Sequence, residues 1–362
     1  MAEKIYSEGI MKNLLTFIFF FILINAANAQ TPTGPTQTIF PRTGPGYDYV
    51  PSITYVNGIY RMYWCGSRAN YPRDNIFYAE SNTPTGPFHA KGSATPNTFS
   101  VVLTGSGDPK SFDYNFVCDP SIIQFEGKWY LYYGGISDAA GYHRTEIGVA
   151  SSKDGFKFTR LNGGRSILKS HKEATSLNGY GTGQPSALVK DGYIYLSHTD
   201  TYARGTQAGS AAGQFVVRSK DPTFQTGVES RNNDHWIKLE DLTSGREEPY
   251  ERYFLRTIWS FVQIFSTDWA YQKDMNQFVV ANHGQSQKLE LITYDADTFQ
   301  KKTDGLINYT LPWTDGPALT RTFDGGAIVN SCTIDSYGSF GGTDVFSSKL
   351  GIQGSKWDSL CQ

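Results

Sequence analysis

The sequence predicts an all-β protein, and more narrowly a five-bladed β-propeller with four antiparallel strands in each blade. Two observations support this prediction: a short motif recurs at a nearly constant spacing, and the composition favours strands. Aromatic residues make up 15% of the chain, with 23 Tyr and 23 Phe, and there are 37 Gly. Such a composition is typical of many short strands joined by tight turns.

The recurring motif is a proline followed by a small residue at the start of an apolar run. Its three copies are Val50-Pro51-Ser52-Ile53, Asp119-Pro120-Ser121-Ile122 and Gln184-Pro185-Ser186-Ala187. Each copy leads through a turn into a second apolar and aromatic run, at 57–64, 127–133 and 191–196. A fixed period with the same internal hairpin indicates one supersecondary unit that is repeated.

Each repeat continues into further strand-like segments, so the repeating unit is predicted to hold four strands. The third strands are expected at 75–81, 145–152 and 214–219, each followed by a turn rich in Gly, Pro or Asp. A weaker fourth copy begins at Asp268, and a fifth is expected from about 315–362, completed by a strand after Gln30. Pairing of the two termini would close the ring. A two-sheet sandwich is the alternative, but it does not account for the equivalent hairpins.

The first 29 residues are predicted to be a secretory signal peptide. Lys12 precedes an apolar run at 14–24, and Ala27-Asn28-Ala29 offers a cleavage site, with Met11 as an alternative initiator. Residues 30–362 are then expected to form a single propeller domain, with a polar loop inserted at about 228–256. We expect a secreted protein, extracellular or periplasmic, that is a monomer and has no membrane anchor in the mature chain.

Charge and cysteine content narrow the possible partners. The formal net charge is −2, from 32 basic and 34 acidic residues without a basic stripe, so no nucleic-acid partner is expected. The even count of four cysteines in an exported chain favours disulfides, and Cys65–Cys118 with Cys332–Cys361 is the preferred one of three connectivities. Four free thiols are the alternative. No CxxC pair is present, which argues against a zinc site.

In a propeller, the first strand of each blade lines a central channel, and the second strand ends on the same face. Two sets of polar side chains are therefore predicted to converge there. The first set is Asp48, Val50, Asp119, Gln184 and Asp268. The second set is Arg68, Asp138, His143, Arg144, His198, Asp200, Arg204 and His283.

The second repeat resembles a blade of the five-bladed glycosidases of family 43 and their relatives, which include arabinanases, β-xylosidases, arabinofuranosidases and fructan hydrolases. The resemblance is carried by Cys118-Asp119-Pro120-Ser121-Ile122 and the run 127–133, and it covers most of 50–300. It implies three channel-lining carboxyl groups: a general base, an Asp that tunes pKa and orients substrate, and a general acid. By position, these three slots hold Val50, Asp119 and Gln184, so only Asp119 matches.

Valine cannot accept a proton, and an amide cannot deliver one at neutral pH. The sequence therefore predicts a relocated catalytic set, in which Asp119 acts with Asp48 or Asp268. Asp48 lies two residues before Val50 and would share its strand face, and a histidine is an alternative acid. The residues predicted to bind substrate are Gln184, Arg68, His143, Arg144, His198 and Asp200.

These observations predict a carbohydrate-active protein, with an oligosaccharide or polysaccharide as its partner. The first hypothesis is a glycoside hydrolase that acts on plant- or algal-type glycans, and the clustered Asp, His and Arg residues favour it. The second is a non-catalytic glycan-binding propeller, which the missing acids at positions 50 and 184 favour. The third is an extracellular scaffold or adhesion protein that uses the loop at 228–256. No cofactor is expected, and a metal ion in the channel is left open.

Overall fold

The computed structural model describes residues 37–41, 46–137, 145–169, 181–200, 213–232, 235–239, 266–283, 289–307, 313–330, 333–340 and 351–357. Strands dominate these ranges, which also contain one short 3-10 helix at Asn162–Gly164. Within them, no helix combines the length and apolar character that a membrane span requires. The predicted signal peptide lies outside the described residues.

The strands follow one another along the chain with short connections in most places. In chain order they are β1 (Gln37–Pro41), β2 (Gly46–Val56), β3 (Ile59–Arg68), β4 (Tyr71–Ser81), β5 (Ser100–Leu103), β6 (Phe116–Phe125), β7 (Lys128–Ile136), β8 (Glu146–Ser152), β9 (Thr159–Arg160), β10 (Thr182–Lys190), β11 (Tyr193–Asp200), β12 (Gly213–Ser219), β13 (Val228–Asn232), β14 (His235–Leu239), β15 (Thr267–Gln272), β16 (Gln277–His283), β17 (Leu289–Asp295), β18 (Lys301–Ile307), β19 (Trp313–Arg321), β20 (Ile334–Phe340) and β21 (Gly351–Trp357).

The described strands form four sheets, and the fold is an all-β propeller built from antiparallel strands. Three sheets run in sequence order, β6 to β9, β10 to β14 and β15 to β18. The fourth has the order β1-β21-β20-β19-β2-β3-β4-β5. Its two antiparallel halves meet at a short parallel contact between β19 and β2. Because β1 pairs with β21, an N-terminal strand completes the half that the C-terminal strands form, as the sequence predicted.

The recurring proline motif has the same backbone conformation wherever it occurs. In β2, β6, β10 and β19 the ladder register shifts at the motif. The residue before the proline has a left-handed φ in each strand: 52° at Val50, 49° at Asp119, 52° at Gln184 and 69° at Gly316. Positive φ is uncommon for residues other than glycine, so the shared conformation establishes the equivalence. Gly316-Pro317 is a further copy, which the sequence hid because alanine replaces the motif serine.

The motif serine joins one inner strand to the next. Ser52 Oγ accepts a hydrogen bond from Ile122 N–H (3.3 Å), and Ser121 Oγ accepts one from Ala187 N–H (2.9 Å). Ser186 Oγ continues the series by accepting from Trp269 N–H.

Between β15 and β19, Asp268 makes the hydrogen bond that the serine makes elsewhere: its Oδ2 accepts from Leu319 N–H at 2.8 Å. Asp268 therefore occupies the serine position of the motif. The sequence interpretation had grouped it with Val50, Asp119 and Gln184, which was wrong because the fourth copy has no proline to fix the alignment.

Apolar cores lie between neighbouring sheets and between the two halves of the eight-stranded sheet, as face-to-face packing around a ring requires. Tyr63 of β3 packs in one cluster with Leu131 of β7, and Trp64 on the opposite face packs with Ala318 of β19. The predicted Cys65–Cys118 disulfide is present and links β3 to β6. Cys332 and Cys361 lie outside the described residues.

The segment predicted as a polar inserted loop at about 228–256 begins with regular structure. Val228–Asn232 and His235–Leu239 pair antiparallel as β13 and β14, and β13 also pairs with β12. The rest of the segment, 240–256, lies outside the described residues.

Candidate functional site at the channel mouth

The inner strands of the propeller surround one narrow cavity. Its lining includes one or more residues from each of β2, β6, β10, β15 and β19, namely Val50, Pro120, Gln184, Thr267 and Pro317. We call the region around Val50, Asp119 and Gln184, the residues that precede the three motif prolines, the channel mouth. Because these three residues have a left-handed conformation, their side chains do not follow the regular alternation between the two faces of the sheet.

Asp119 in β6 has the same position before the motif proline as Val50 and Gln184, which line the cavity. It is buried, with 6% of its surface exposed. Its Oδ2 lies above Gly134 of the neighbouring strand, since a Cβ added there would come within 3.4 Å of that oxygen. Its Oδ1 is 3.4 Å from Cys118 Sγ, one atom of the disulfide. The Asp119 carboxylate therefore packs against Gly134 on one side and the disulfide on the other.

Asp48 does not line the cavity, although the sequence predicted that it would share a face with Val50. It is fully buried, and its Oδ1 accepts hydrogen bonds from Trp64 Nε1 (2.6 Å) and Arg68 Nη2 (2.5 Å). The ladder irregularity between Tyr49 and Ser52 breaks the two-residue alternation. Asp48 thus faces the core around Trp64 rather than the channel.

Arg68, predicted to bind substrate, takes part in this buried ion pair with Asp48. Its guanidinium also stacks on the rings of Phe77 and Phe99, at 5.1 Å and 4.9 Å from their centres. It donates to the carbonyl oxygen of Tyr47 as well. The charge of Arg68 is therefore neutralised by Asp48, and its guanidinium makes its contacts within the protein.

Asp268 lines the channel, but both of its carboxylate oxygens make contacts within the wall. Oδ1 accepts from Ser186 Oγ at 2.6 Å and lies 3.2 Å from Arg321 Nη1, while Oδ2 accepts from Leu319 N–H. Such a carboxylate joins inner strands to one another. The contacts of Asp268 thus support a structural role in the channel wall, whereas its catalytic role stays a prediction.

Of the remaining predicted residues, the structure describes Gln184, His198, Asp200 and His283. Gln184 lines the cavity and is 6% exposed. His198 is buried in β11, opposite the irregularity in β10, with its ring 5.8 Å from that of Phe215. Asp200 ends β11 and pairs through its backbone with Thr182 and Gly213. His143, Arg144, Asp138 and Arg204 lie outside the described residues. For His283, the structure shows that it ends β16.

One acidic residue near the mouth was missed in the sequence. Asp74 lies in β4, and a carboxyl oxygen of Asp74 is within 4.8 Å of both sulfurs of the Cys65–Cys118 disulfide. Burial raises its pKa to about 7, although part of the residue still reaches solvent. The sequence pattern did not indicate it, because the pattern predicts channel-facing side chains at the ends of the first two strands of each repeat, and Asp74 lies on the third.

The two sulfurs and the Asp74 carboxyl group lie close enough together to suggest a metal site. Cysteine binds metals as a thiolate, however, and here both sulfurs form a disulfide. The group therefore lacks the donor atoms of a metal centre. No other group of three His, Cys, Asp or Glu side chains converges in the part of the chain that the structure describes.

The fold is shared with several solved glycoside hydrolases. A family 117 glycoside hydrolase, Zg3597 from the marine bacterium Zobellia galactanivorans, superimposes with a TM-score of 0.58 at 14% identity, over 89% of each chain. A GH43_1 enzyme from Xanthomonas citri, solved with xylose, gives 0.52 at 16% identity over 89% of each chain. The α-L-arabinofuranosidase PaAbf62A from Podospora anserina, solved with cellotriose, gives 0.52 at 11% identity, over 90% of this chain and 96% of that one.

No curated protein matches the sequence. At these identities the solved structures establish the fold alone. The family model of glycosyl hydrolases family 43, by contrast, matches residues 29–235, which is more than half of the chain and includes all three copies of the proline–serine motif. The chain therefore belongs to glycosyl hydrolases family 43.

Proposed function

We propose that this protein is a secreted glycoside hydrolase that acts on plant- or algal-type polysaccharides or oligosaccharides at the channel mouth of a five-bladed propeller. The observation that carries the proposal is the placement of Asp119. The one family carboxylate that the sequence retains has the same left-handed backbone conformation as Val50 and Gln184, which line the cavity. The fold class and the family membership support a carbohydrate substrate.

The blade count follows if each half of the eight-stranded sheet is taken as one blade. The parallel contact between β19 and β2 is only two residue pairs long. It joins two inner strands, each of which begins its own antiparallel series of four. The termini close the ring by pairing β1 with β21, and residues 30–362 then form one domain.

Hydrolysis of a glycosidic bond needs one group that protonates the leaving oxygen and another that activates water. Asp119 is proposed as one of these groups. Asp48 and Asp268, the two other catalytic candidates, are each held in a buried ion pair. Gln184 is suited to bind a sugar hydroxyl, because its amide both donates and accepts hydrogen bonds.

The experiment that tests this proposal is a screen of purified residues 30–362 against arabinose-, xylose-, galactose- and fructose-containing glycans. Reducing-end release reports turnover, and calorimetry on the same glycans reports binding. We expect turnover of at least one glycan and its loss in Asp119→Asn. Mass spectrometry of the exported protein and light scattering test cleavage after Ala29 and the monomeric state.

A second candidate function is glycan binding without hydrolysis. The apolar Val50 and the amide of Gln184 favour it, since they occupy the positions of the family base and acid. Under this reading, the screen finds binding without turnover. The double variant Val50→Asp/Gln184→Glu is then expected to gain weak hydrolysis of the glycan that the wild type already binds.

A further inference from the structure

The proposed hydrolase needs a second carboxyl group close to Asp119, and the described residues offer few. Asp48 is committed to Trp64 and Arg68, and Asp268 to Ser186 and Leu319. Asp74, in contrast, makes no hydrogen bond or ion pair within the ranges that the structure describes. Asp74 is therefore a carboxyl group close to Asp119 that has no hydrogen-bond or ion-pair partner among the described residues.

The contacts of Asp74 and Asp119 with the disulfide set an upper limit on the distance between their carboxyl groups. A carboxyl oxygen of Asp74 lies within 4.8 Å of Cys118 Sγ, and Asp119 Oδ1 is 3.4 Å from the same sulfur. The two carboxyl groups are therefore no more than about 8 Å apart. Where one carboxyl group activates the attacking water, the two carboxyl groups of a glycosidase lie about 6.5–9.5 Å apart, and this limit is compatible with such a pair.

The internal repeat shows why a side chain at position 74 reaches this region. Asn75 pairs with Gly66 as Glu146 pairs with Gly135, so Asp74 and Thr145 are equivalent. Thr145 Cγ2 and Asp119 Oδ2 both approach the Cβ position of Gly134. Asp74 thus stands in the first repeat where Thr145 stands beside Asp119 in the second, and it supplies a carboxyl group in the repeat whose family base slot holds Val50.

We infer that Asp74 is the proton donor of the proposed hydrolase and acts as the partner of Asp119. Asp74 gives its carboxyl proton to the glycosidic oxygen as the bond from that oxygen to C1 breaks. The Asp119 carboxylate takes a proton from the attacking water, and the water oxygen bonds to C1. Asp74 ends as a carboxylate and Asp119 as an acid, and proton exchange with solvent restores both.

The ionisation of Asp74 suits this role. Burial disfavours its charged form and raises its pKa to about 7, so a large fraction of the group keeps its proton near neutral pH. A carboxyl group whose pKa is raised by its surroundings is the usual source of the proton in glycoside hydrolysis.

The test compares Asp74→Asn with the wild type on two substrates of the sugar that the screen identifies. One is the natural glycan, and the other is its dinitrophenyl glycoside, whose leaving group departs without protonation. We expect kcat/KM on the glycan to fall by about 10²–10⁴-fold and that on the dinitrophenyl glycoside to fall less than tenfold. Asp274→Asn, on the exposed turn between β15 and β16, is the matched control and should leave both rates unchanged.

This inference rests on the proposed hydrolase function, and the two fail differently. A wild type that hydrolyses no glycan overturns both. A wild type that is active, with an Asp74→Asn variant that keeps its rate on the natural glycan, overturns only the role of Asp74. Equal losses on the two substrates also overturn it, because a structural role does not depend on the leaving group. Circular dichroism of Asp74→Asn checks that the variant is folded.

Discussion

Asp268 and Arg321 form a buried ion pair in the channel wall, with 3.2 Å between Asp268 Oδ1 and Arg321 Nη1. Arg321 also donates to Ser52 Oγ (2.9 Å) and to the carbonyl oxygen of Ala187 (2.9 Å). One guanidinium therefore reaches from β19 to β2, β10 and β15. It closes the ring on the inside, as the pairing of β1 with β21 closes it at the periphery.

Loss of Arg321 should destabilise the whole propeller. Removing one partner leaves the Asp268 charge buried and unpaired, which typically costs about 3–5 kcal/mol. We expect Arg321→Met to lower the free energy of unfolding by this amount in urea titrations. Arg165→Met, which alters an exposed arginine, is the control and should change it by less than about 0.5 kcal/mol. A stable Arg321→Met variant would show that the wall does not depend on this ion pair.

Asp268→Asn separates the structural role of Asp268 from the predicted catalytic one. The amide keeps the size of the side chain but removes the charge that faces Arg321, so we expect a lower melting temperature. Thermal unfolding and the rate on the glycan are measured on the same preparation. Unchanged melting with abolished turnover would instead support the catalytic role.

The Cys65–Cys118 disulfide should contribute measurably to stability. It closes a loop of 53 residues, and the chain-entropy model gives about 4 kcal/mol for such a loop, with typical values of about 2–4 kcal/mol. We expect the Cys65→Ala/Cys118→Ala variant to lose stability in this range in urea titrations. If the variant unfolds at the same urea concentration as the wild type, the bond is dispensable for folding.

Asp119→Asn should affect turnover far more than folding. The substitution keeps the size of the side chain over Gly134 and removes only the charge, so we expect a rate loss of about 10²–10⁴-fold. The melting temperature should stay within about 2 °C of the wild-type value. Asp108→Asn, at an exposed aspartate, is the control for the chemical change itself. Full activity in Asp119→Asn would place the chemistry away from the channel mouth.

Asp74 should make the protein less stable as the pH rises from about 4 to about 7. Its pKa is about 7 in the folded chain and near the ordinary 3.8 in the unfolded chain, so the folded state binds more protons across this interval. Stability therefore falls as the pH rises, and the penalty is complete above pH 7. We expect Asp74→Asn to melt close to the wild type at pH 4 and at least about 2 °C higher at pH 8.

Differential scanning fluorimetry from pH 4 to pH 8 checks this expectation. Asp274→Asn again serves as the control, because its carboxyl group lies on an exposed turn. A difference in melting temperature that stays constant across the pH range would show that Asp74 ionises in the folded protein as it does in the unfolded chain.

The sequence by itself determined the repeating unit, the antiparallel strands and the equivalence of Val50, Asp119 and Gln184. The reason is local: the proline motif recurs at a nearly constant spacing, and each copy is followed by a hairpin whose turn residues are recognisable in the sequence. The Cys65–Cys118 disulfide could also be predicted, since the repeat places the two cysteines in adjacent units. A repeated motif can be recognised in the sequence without knowing how the sheets pack against one another.

Only the tertiary structure decided which carboxyl groups face the channel. The two-residue alternation predicted that Asp48 would join Val50, but a ladder irregularity between them turns Asp48 into the core with Arg68. Asp268 moved to the serine position because hydrogen bonds between inner strands, rather than local sequence, set its alignment. The position of Asp74 near Asp119 followed only from its contact with the disulfide. In each case the deciding contact joins residues far apart in the chain, or depends on a register that the sequence pattern does not encode.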